Sequence, residues 1–374
     1  MTGDMVQIHM LTSYPATLLN RDDAGLAKRV PFGGVLRTRV SSQCLKKHWR
    51  DASELLELGP VADRSTRIYE VRVARPLMED HGATEEEATA IAKGLLTLVD
   101  TKAEKKNEPL QTGQLLVLTR AETEFLAEIG VEMLAEVREK GVDVTKPKAL
   151  EKLEALGKDL KKRIADLPAS IDTALFGRMV TSDNFARVDA AVSVAHALTT
   201  HEEAAETDYF TAVDTLKTSA DDAGAGLIQD TELTSGVFYL YAVIDINQLR
   251  DNLGSAEVGA ERLARSLVHV MATKSPGAKK GSTAPYAYAE MALLERGGAQ
   301  PRTLANAFRE PIHGRGTDLM ALSVARLVEY RARLEEMYGP SGATVAMSTI
   351  HPSSSNGIEP VPFRTALETV FQGG

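Results

Sequence analysis

Arg21, Lys28, Lys46 and Arg50 are the residues of this sequence whose types and spacing point to a definite chemistry, the gripping of a polyanion. Between residues 21 and 50, eight basic residues stand against two acidic ones, Asp22 and Asp23. Lys46 and Arg50 are four apart, so on a helix they share a face. Ser41, Ser42 and Gln43 come just before them, where the free N–H groups and dipole of a helix start favour an anion. A second segment, 262–289, carries Arg262, Arg265, Lys274, Lys279 and Lys280 and no Asp or Glu. Side chains of this kind bind phosphates by displacing counterions, a contact without sequence information. Between 201 and 232, by contrast, nine acidic residues face Lys217 alone. The net charge of −9 therefore averages over segregated segments, and the segments describe the partners better than the average does.

Other chemistries fail on spacing. GAKKGST (277–283) is too short for a phosphate-binding P-loop, and neither GxGxxG nor GxSxG occurs. His196 and His201 are five apart at an expected strand end, unlike the two ligands of a helical HExxH pair. The single cysteine, Cys44, excludes an internal disulfide, a CxxC redox pair and a cysteine zinc site. Asp22 and Asp23 offer carboxylates that could recruit a divalent ion beside a bound phosphodiester, against the plainer reading that they pair with Arg21 and Lys28. No metal and no cofactor is expected. No apolar run reaches the ~18 residues of a membrane span, and the N-terminus lacks a signal-peptide pattern, so a cytoplasmic protein is expected.

The elements that must position the basic residues are partly legible. Val6, Ile8 and Met10 alternate with Gln7 and His9, which predicts a half-buried strand over 5–11. Ser41 and Ser42 cap a helix, SSQCLKKHWRD, with Leu45 and Trp49 inward. Residues 55–170 read as a helical insertion. Thr84 and Glu87 form a capping box ahead of Ile91, Leu95 and Leu98; Leu126, Ile129, Met133 and Val137 recur at helical spacing; and 148–166 predicts a further amphipathic helix. Alternation from Ala190 to His196 and the apolar run 236–246 predict strands, with a long loop, 199–235, between them. A helix over 256–273, a strand within 286–295, a helix over 317–337 and a strand over 343–350 follow. The expected fold is α+β, a ferredoxin-like βαββαβ plan with two large interruptions. The final LETVFQGG resembles a protease-recognition segment and supports no functional inference.

Longer motifs carry a family resemblance. LLNRDD (18–23), FGG with RTRVSSQCLKK (32–47), GRMVTSDNF (177–185), VDAAVSVAHALTTH (188–201), DYFTAVD (208–214), TSGVFYLYAVI (234–244), VMATKSPGAKK (270–280) and LANAF (304–308) are similar, in order, to the backbone subunit of the type I-E CRISPR Cascade complex. The resemblance implies an RRM-like palm (1–54, 171–198 and 236–374), a helical fingers insertion (55–170) and a thumb (199–235). It implies a non-catalytic subunit that polymerises along a guide RNA and leaves its bases free to pair with target DNA in antiviral defence. The implied partners are further copies of the chain and the large, small, five-prime-handle and guide-processing subunits, with no membrane. Arg21, Lys28, Ser41, Gln43, Lys46 and Arg50 match the positions that hold the guide backbone, with Lys279 and Lys280 beside them. Met179, Tyr209 and Phe210 match the positions that splay one nucleotide out at intervals. The alternative is a metal-dependent ribonuclease resembling type III backbone subunits, acting through Asp22 or Asp23.

Overall fold

The computed structural model describes residues 3–99, 110–146, 149–153, 160–178, 187–212, 227–254, 258–314, 316–349 and 359–371. It divides into two units, one of Met1–Leu55, Ser193–Ile246 and Glu261–Gly374, the other of Leu56–Val192 and Asn247–Ala260. The first unit opens with β1 (Met5–Thr17), longer than predicted. Val6, Ile8 and Met10 are buried, but so are Gln7 and His9, so the strand is not half-solvated. It has strand neighbours on both edges, and its second face is covered too, with Gln7 and His9 hydrogen-bonded there.

The strands β2 (Arg29–Phe32) and β3 (Val35–Val40) form a hairpin closed at Phe32 and Val35. Gly33 and Gly34, both at positive φ, supply the turn, and a Cβ on Gly33 would fall 1.5 Å from the Arg309 carbonyl oxygen. This accounts for the FGG motif. Helix α1 (Ser42–Arg50) follows as expected: the Ser41 hydroxyl accepts the Cys44 N–H at 3.3 Å, and Leu45 and Trp49 are buried. A short α2 (Ser53–Leu56) leads into the second unit.

There β4 (Asp63–Ser65) precedes a π-helical turn at Glu70–Ala74, α3 (Arg75–His81) and α4 (Glu85–Val99). Next come β5 (Leu116–Leu118), which pairs with β4, and α5 (Arg120–Lys140). The predicted Thr84–Glu87 capping box is present, with both N–H bonds made, and a second one at Thr119–Glu122 starts α5. Ile91 and Leu95 pack with Leu126, Ile129, Met133 and Val137 in one core. The helix predicted over 148–166 is not continuous. Its described parts are a 3-10 turn, Ala149–Lys152, and α6 (Leu160–Ala165), because the Leu153 N–H closes on Leu150, three residues back, and Leu153 leaves the helix to enter the core. Helix α7 (Ile171–Phe176) ends this run.

Alternation at 190–196 yields two short strands, β6 (Val192–Val194) and β7 (Ala197–Thr199), broken where His196 meets Arg39. The described residues of the expected loop are instead largely strand: β8 (Ala205–Ala212) pairs with the first part of β9 (Leu227–Asp245) from Ala205–Thr234 to Ala212–Leu227, forming a two-stranded arm. The helix predicted over 256–273 is found as α9 (Ala260–Thr273), and a helix that was not predicted, α8 (Ile246–Leu253), comes before it. The chain continues through α10 (Lys280–Thr283), β10 (Met291–Gly297), a 3-10 turn at Ala305–Phe308, α11 (Leu319–Tyr338), β11 (Ala343–Ser348) and α12 (Phe363–Val370). The tail belongs to this fold: Leu367, Val370 and Phe371 are buried, and Arg296 donates to the Val370 carbonyl.

The main sheet runs β11-β10-β1-β9-β7-β3-β2, with every described pairing antiparallel. Met10 and Leu240 on one face meet Leu45 and Trp49 of α1 and Met271 of α9 around a small cavity. On the other, Leu11, Tyr239 and Leu293 pack with Val324 and Leu327 of α11. The chain is thus mixed α and β around an antiparallel sheet. Among the described residues no helix is long and apolar enough to cross a membrane.

Candidate nucleic-acid interface

The loop after β1 is locked from within. Asp22 Oδ1 accepts the N–H groups of Ala24 (2.9 Å) and Leu26 (3.0 Å), and the Asp22 N–H donates to the Leu26 carbonyl. Arg21 bridges to Ala27, and the Lys28 N–H reaches the Asn20 carbonyl at 2.9 Å. The Asn20 side chain then accepts the Ser41 N–H at 2.9 Å, fastening this loop to the start of α1. LLNRDD is therefore first a folding motif: Leu18 and Leu19 are buried, Asn20 and Asp22 close the turn, and Arg21 is left exposed at its corner. Asp23 is exposed as well.

Two lysines from outside α1, Lys28 and Lys280, approach one flank of it. Burial pushes the Cys44 thiol up in pKa, and the cations of Lys47, Lys280 and Lys28 pull against that shift. His48 is lowered by burial and again by Lys280 and Lys47, while His196 is lowered by burial, Arg39 and Lys28. These fields place Lys28 and Lys280 close to the Cys44–His48 edge, with Lys47 beside it on the helix. Lys46 and Arg50 lie elsewhere. At about 100° per residue, they flank the Leu45–Trp49 face on the side opposite Cys44 and His48. Burial and the charge of Arg50 both lower the pKa of Lys46. The basic residues at α1 thus form two cationic flanks, with exposed Gln43 and Lys47 on the ridge between.

Several basic residues of the segment serve the fold instead. Arg37 is fully buried and donates to the carbonyls of Phe32, Thr199 and Phe308. Arg29 is ion-paired to Glu203 at 2.5 Å and Glu232 at 2.6 Å, whereas Lys47, paired to Asp51 at 2.7 Å, stays exposed on the ridge. Lys279 donates to Thr231 Oγ1 at 2.7 Å, tying its loop to the arm, whereas Lys280 is exposed. The Ser41 hydroxyl is engaged as the helix cap and is nearly buried. Ser42 donates to Gln43 Oε1 at 3.3 Å. Tyr209 stands on the arm, 64% exposed, with its backbone opposite Asp230. Phe210 lies opposite Gln229 in the same ladder, described in its backbone alone, and Met179 falls outside the described residues.

The histidine pair of the sequence is separated by its partners. His196 bonds Arg39 at 3.0 Å; His201 donates from Nδ1 to the Glu202 carbonyl at 2.6 Å and accepts the Val237 N–H at Nε2, 3.2 Å away. Burial holds His201 below its ordinary pKa, consistent with that neutral tautomer. Among the described residues, no group of three or more His, Cys, Asp or Glu is placed to hold a metal. Gly236 is what admits the His201 ring, because a Cβ there would lie 2.6 Å from Nε2. Gly236→Ala is expected to lower stability by about 1–3 kcal/mol, the usual range for overpacking, measured by urea denaturation; an unchanged midpoint would refute this fit.

No curated protein matches the sequence. Among solved structures, the chain is similar to one in a structure described as a CRISPR RNA-guided surveillance complex, pre-nicking, with 26% identity, a TM-score of 0.82, and coverage of 98% of this chain and 99% of that chain. A chain of a second CRISPR RNA-guided surveillance complex shares the fold at a TM-score of 0.75 and 23% identity, with 99% and 100% covered. The profile described as CT1975-like protein matches residues 6–369, and the chain belongs to that family.

Proposed function

We propose that this chain is a guide-RNA-binding backbone subunit of a Cascade CRISPR complex of type I-E, which holds the guide by its ribose–phosphate chain and does not cut it. The observation that carries the reading is the pair of cationic flanks on α1, one with Lys28 and Lys280 near Cys44 and the other with Lys46 and Arg50. Gln43 and Lys47 on the exposed ridge allow one backbone to cross between them. Contacts of this class suit a subunit that must serve any guide. Likeness over nearly the whole length to a chain of an RNA-guided complex supports the same reading.

In this proposal the order β10-β1-β9-β7, with α1 after β1 and α9 after β9, is the ferredoxin-like core of an RRM-like palm. The helical unit serves as fingers and the β8–β9 arm as thumb, whose Tyr209 and Phe210 displace a nucleotide together with Met179 of the GRM motif. Copies stack along the guide in the cytoplasm, beside the other Cascade subunits, and the free bases pair with target DNA. Asp22 closes a turn in this account, and neither it nor Asp23 is a catalyst.

Titration of the purified chain with two single-stranded RNAs of unrelated sequence tests the proposal. Equal affinities and a steep loss with salt are expected. A preference of roughly tenfold for one sequence would indicate base readout and contradict it. So would magnesium-dependent cleavage abolished by Asp22→Asn or Asp23→Asn, which would establish the ribonuclease alternative.

A further inference from the structure

Two tyrosines that the cationic site leaves out are the most exposed aromatic side chains near it. Tyr286 is 73% and Tyr288 68% exposed, although the segment carrying them is firmly held. The Ser275 hydroxyl, on a buried residue, donates to the Ala287 carbonyl at 2.8 Å and accepts the Ala287 N–H at 3.1 Å. The Ala289 N–H reaches the Ala272 carbonyl at 2.8 Å, and the Tyr286 N–H reaches that of Ala284 at 2.7 Å. Exposure alternates, with Tyr286 and Tyr288 outward, Ala287 half-buried and Ala289 buried, so both rings leave the same side of the chain. A pair of large rings displayed on a pinned backbone is costly to leave in water and is suited to a partner.

The surroundings identify that partner. Pro285, next to Tyr286, packs with the stem of Lys280 around Gly277, where a Cβ would meet both side chains within 3 Å. Lys280 in turn acts on His48 and Cys44 of α1. The tyrosines thus continue the cationic flank, and residues 262–289 contain no carboxylate. Cations and flat rings on one surface are the combination that binds single-stranded nucleic acid, the cations taking phosphates and the rings stacking on bases.

We infer that Tyr286 and Tyr288 form a base-stacking site for single-stranded RNA, next to the phosphate contacts of Lys280. The inference rests on the proposed function and deepens it. Stacking of this kind tolerates any base, in keeping with a sequence-independent grip.

The full-length chain, its Tyr286→Phe/Tyr288→Phe variant and its Tyr286→Leu/Tyr288→Leu variant are titrated with single-stranded RNA carrying 2-aminopurine, whose fluorescence is quenched on stacking. The phenylalanine variant is expected to keep affinity and quenching. The leucine variant is expected to lose quenching and roughly fivefold or more in affinity, with an unchanged salt slope because no charge is removed. Both rings are exposed, so thermal unfolding of the variants should match the parent. Should the leucine variant misfold, photocross-linking of the unmodified chain to 4-thiouridine RNA takes its place, and labelled RNA on the peptide 281–296 is the expected result.

Full affinity and quenching in the leucine variant, or no cross-link in that peptide, would overturn the inference and leave the cationic reading standing. Loss of self-association in that variant without loss of RNA affinity would overturn it in favour of a contact between copies. Failure of the unmodified chain to bind RNA would overturn the proposed function, and this inference with it.

Discussion

Arg331→Met is expected to destabilise the chain by about 3–5 kcal/mol, the range for removing one partner of a buried ion pair. Arg331 Nε donates to Glu295 Oε1 at 2.8 Å, with both side chains buried, and its Nη2 reaches Glu335 and Thr344. The pair ends a polar ladder across the second face of the sheet. The Leu304 N–H donates to the Tyr239 oxygen at 3.0 Å, the Tyr239 O–H donates to His9 Nδ1 at 2.8 Å, and His9 Nε2 faces Glu295 Oε2 at 3.5 Å. Burial lowers the His9 pKa from its ordinary 6.5, so the ring is neutral at pH 7 in this arrangement.

For Glu295, burial alone would raise the pKa, but the His9 ring facing it and the hydrogen bond from Arg331 outweigh burial and lower the carboxyl to about 2. Arg331 supplies the permanent positive charge of this cluster, donating to Glu295 at 2.8 Å. The folded value lies below the ordinary 4.5, so ionised Glu295 contributes its full stability above 4.5 and loses it as the pH falls from there towards 2. Urea midpoints of the parent and Arg331→Met should therefore differ most at neutral pH and draw together in acid. A Glu295→Leu/Arg331→Met double substitution should recover much of the loss, since an apolar pair replaces a buried ionic one. Equal destabilisation by the single and double variants would refute this account of the ladder.

The second large effect concerns binding. Lys28→Gln/Lys280→Gln and Lys46→Gln/Arg50→Gln each remove two cations, one pair from each flank of α1. If each residue meets one phosphate of a single strand, each double variant should lose about 1.4 units of log–log salt slope and roughly 15-fold in affinity at physiological salt. The loss should be uniform across RNA sequences. A loss confined to one pair would mean that the RNA follows a single edge of α1 rather than crossing its ridge. A sequence-dependent loss would contradict phosphate contact altogether.

The local pattern in the sequence was legible where one element determined the outcome. Ser41 as a cap, Leu45 and Trp49 as an inward face and the Thr84–Glu87 box depend on neighbours within four residues, and each occurs as read. Features set by distant chain were not legible. Gln7 and His9 look solvent-facing until α11 and the Tyr239 and Tyr241 side chains cover them. Arg37 counts as a surface cation until three carbonyls from separate segments enclose it. Helical spacing correctly grouped Lys46 with Arg50, but nothing in it said that Lys28 and Lys280 would lie on the other flank. Alternation in Tyr286–Ala289 was present in the sequence, yet the role of Ser275 in pinning that segment appears only in the fold.

The claim on which the account depends is that this chain grips a ribose–phosphate strand whatever its letters. Co-expression with a CRISPR array and the remaining Cascade proteins, followed by size separation and nuclease treatment, measures it most directly. The account predicts a large particle containing the chain and a protected RNA, recovered equally well when the spacer sequence is exchanged, and depleted when all four flank residues, Lys28, Lys46, Arg50 and Lys280, become Gln. A particle free of RNA, or one that forms with a single spacer only, would contradict it.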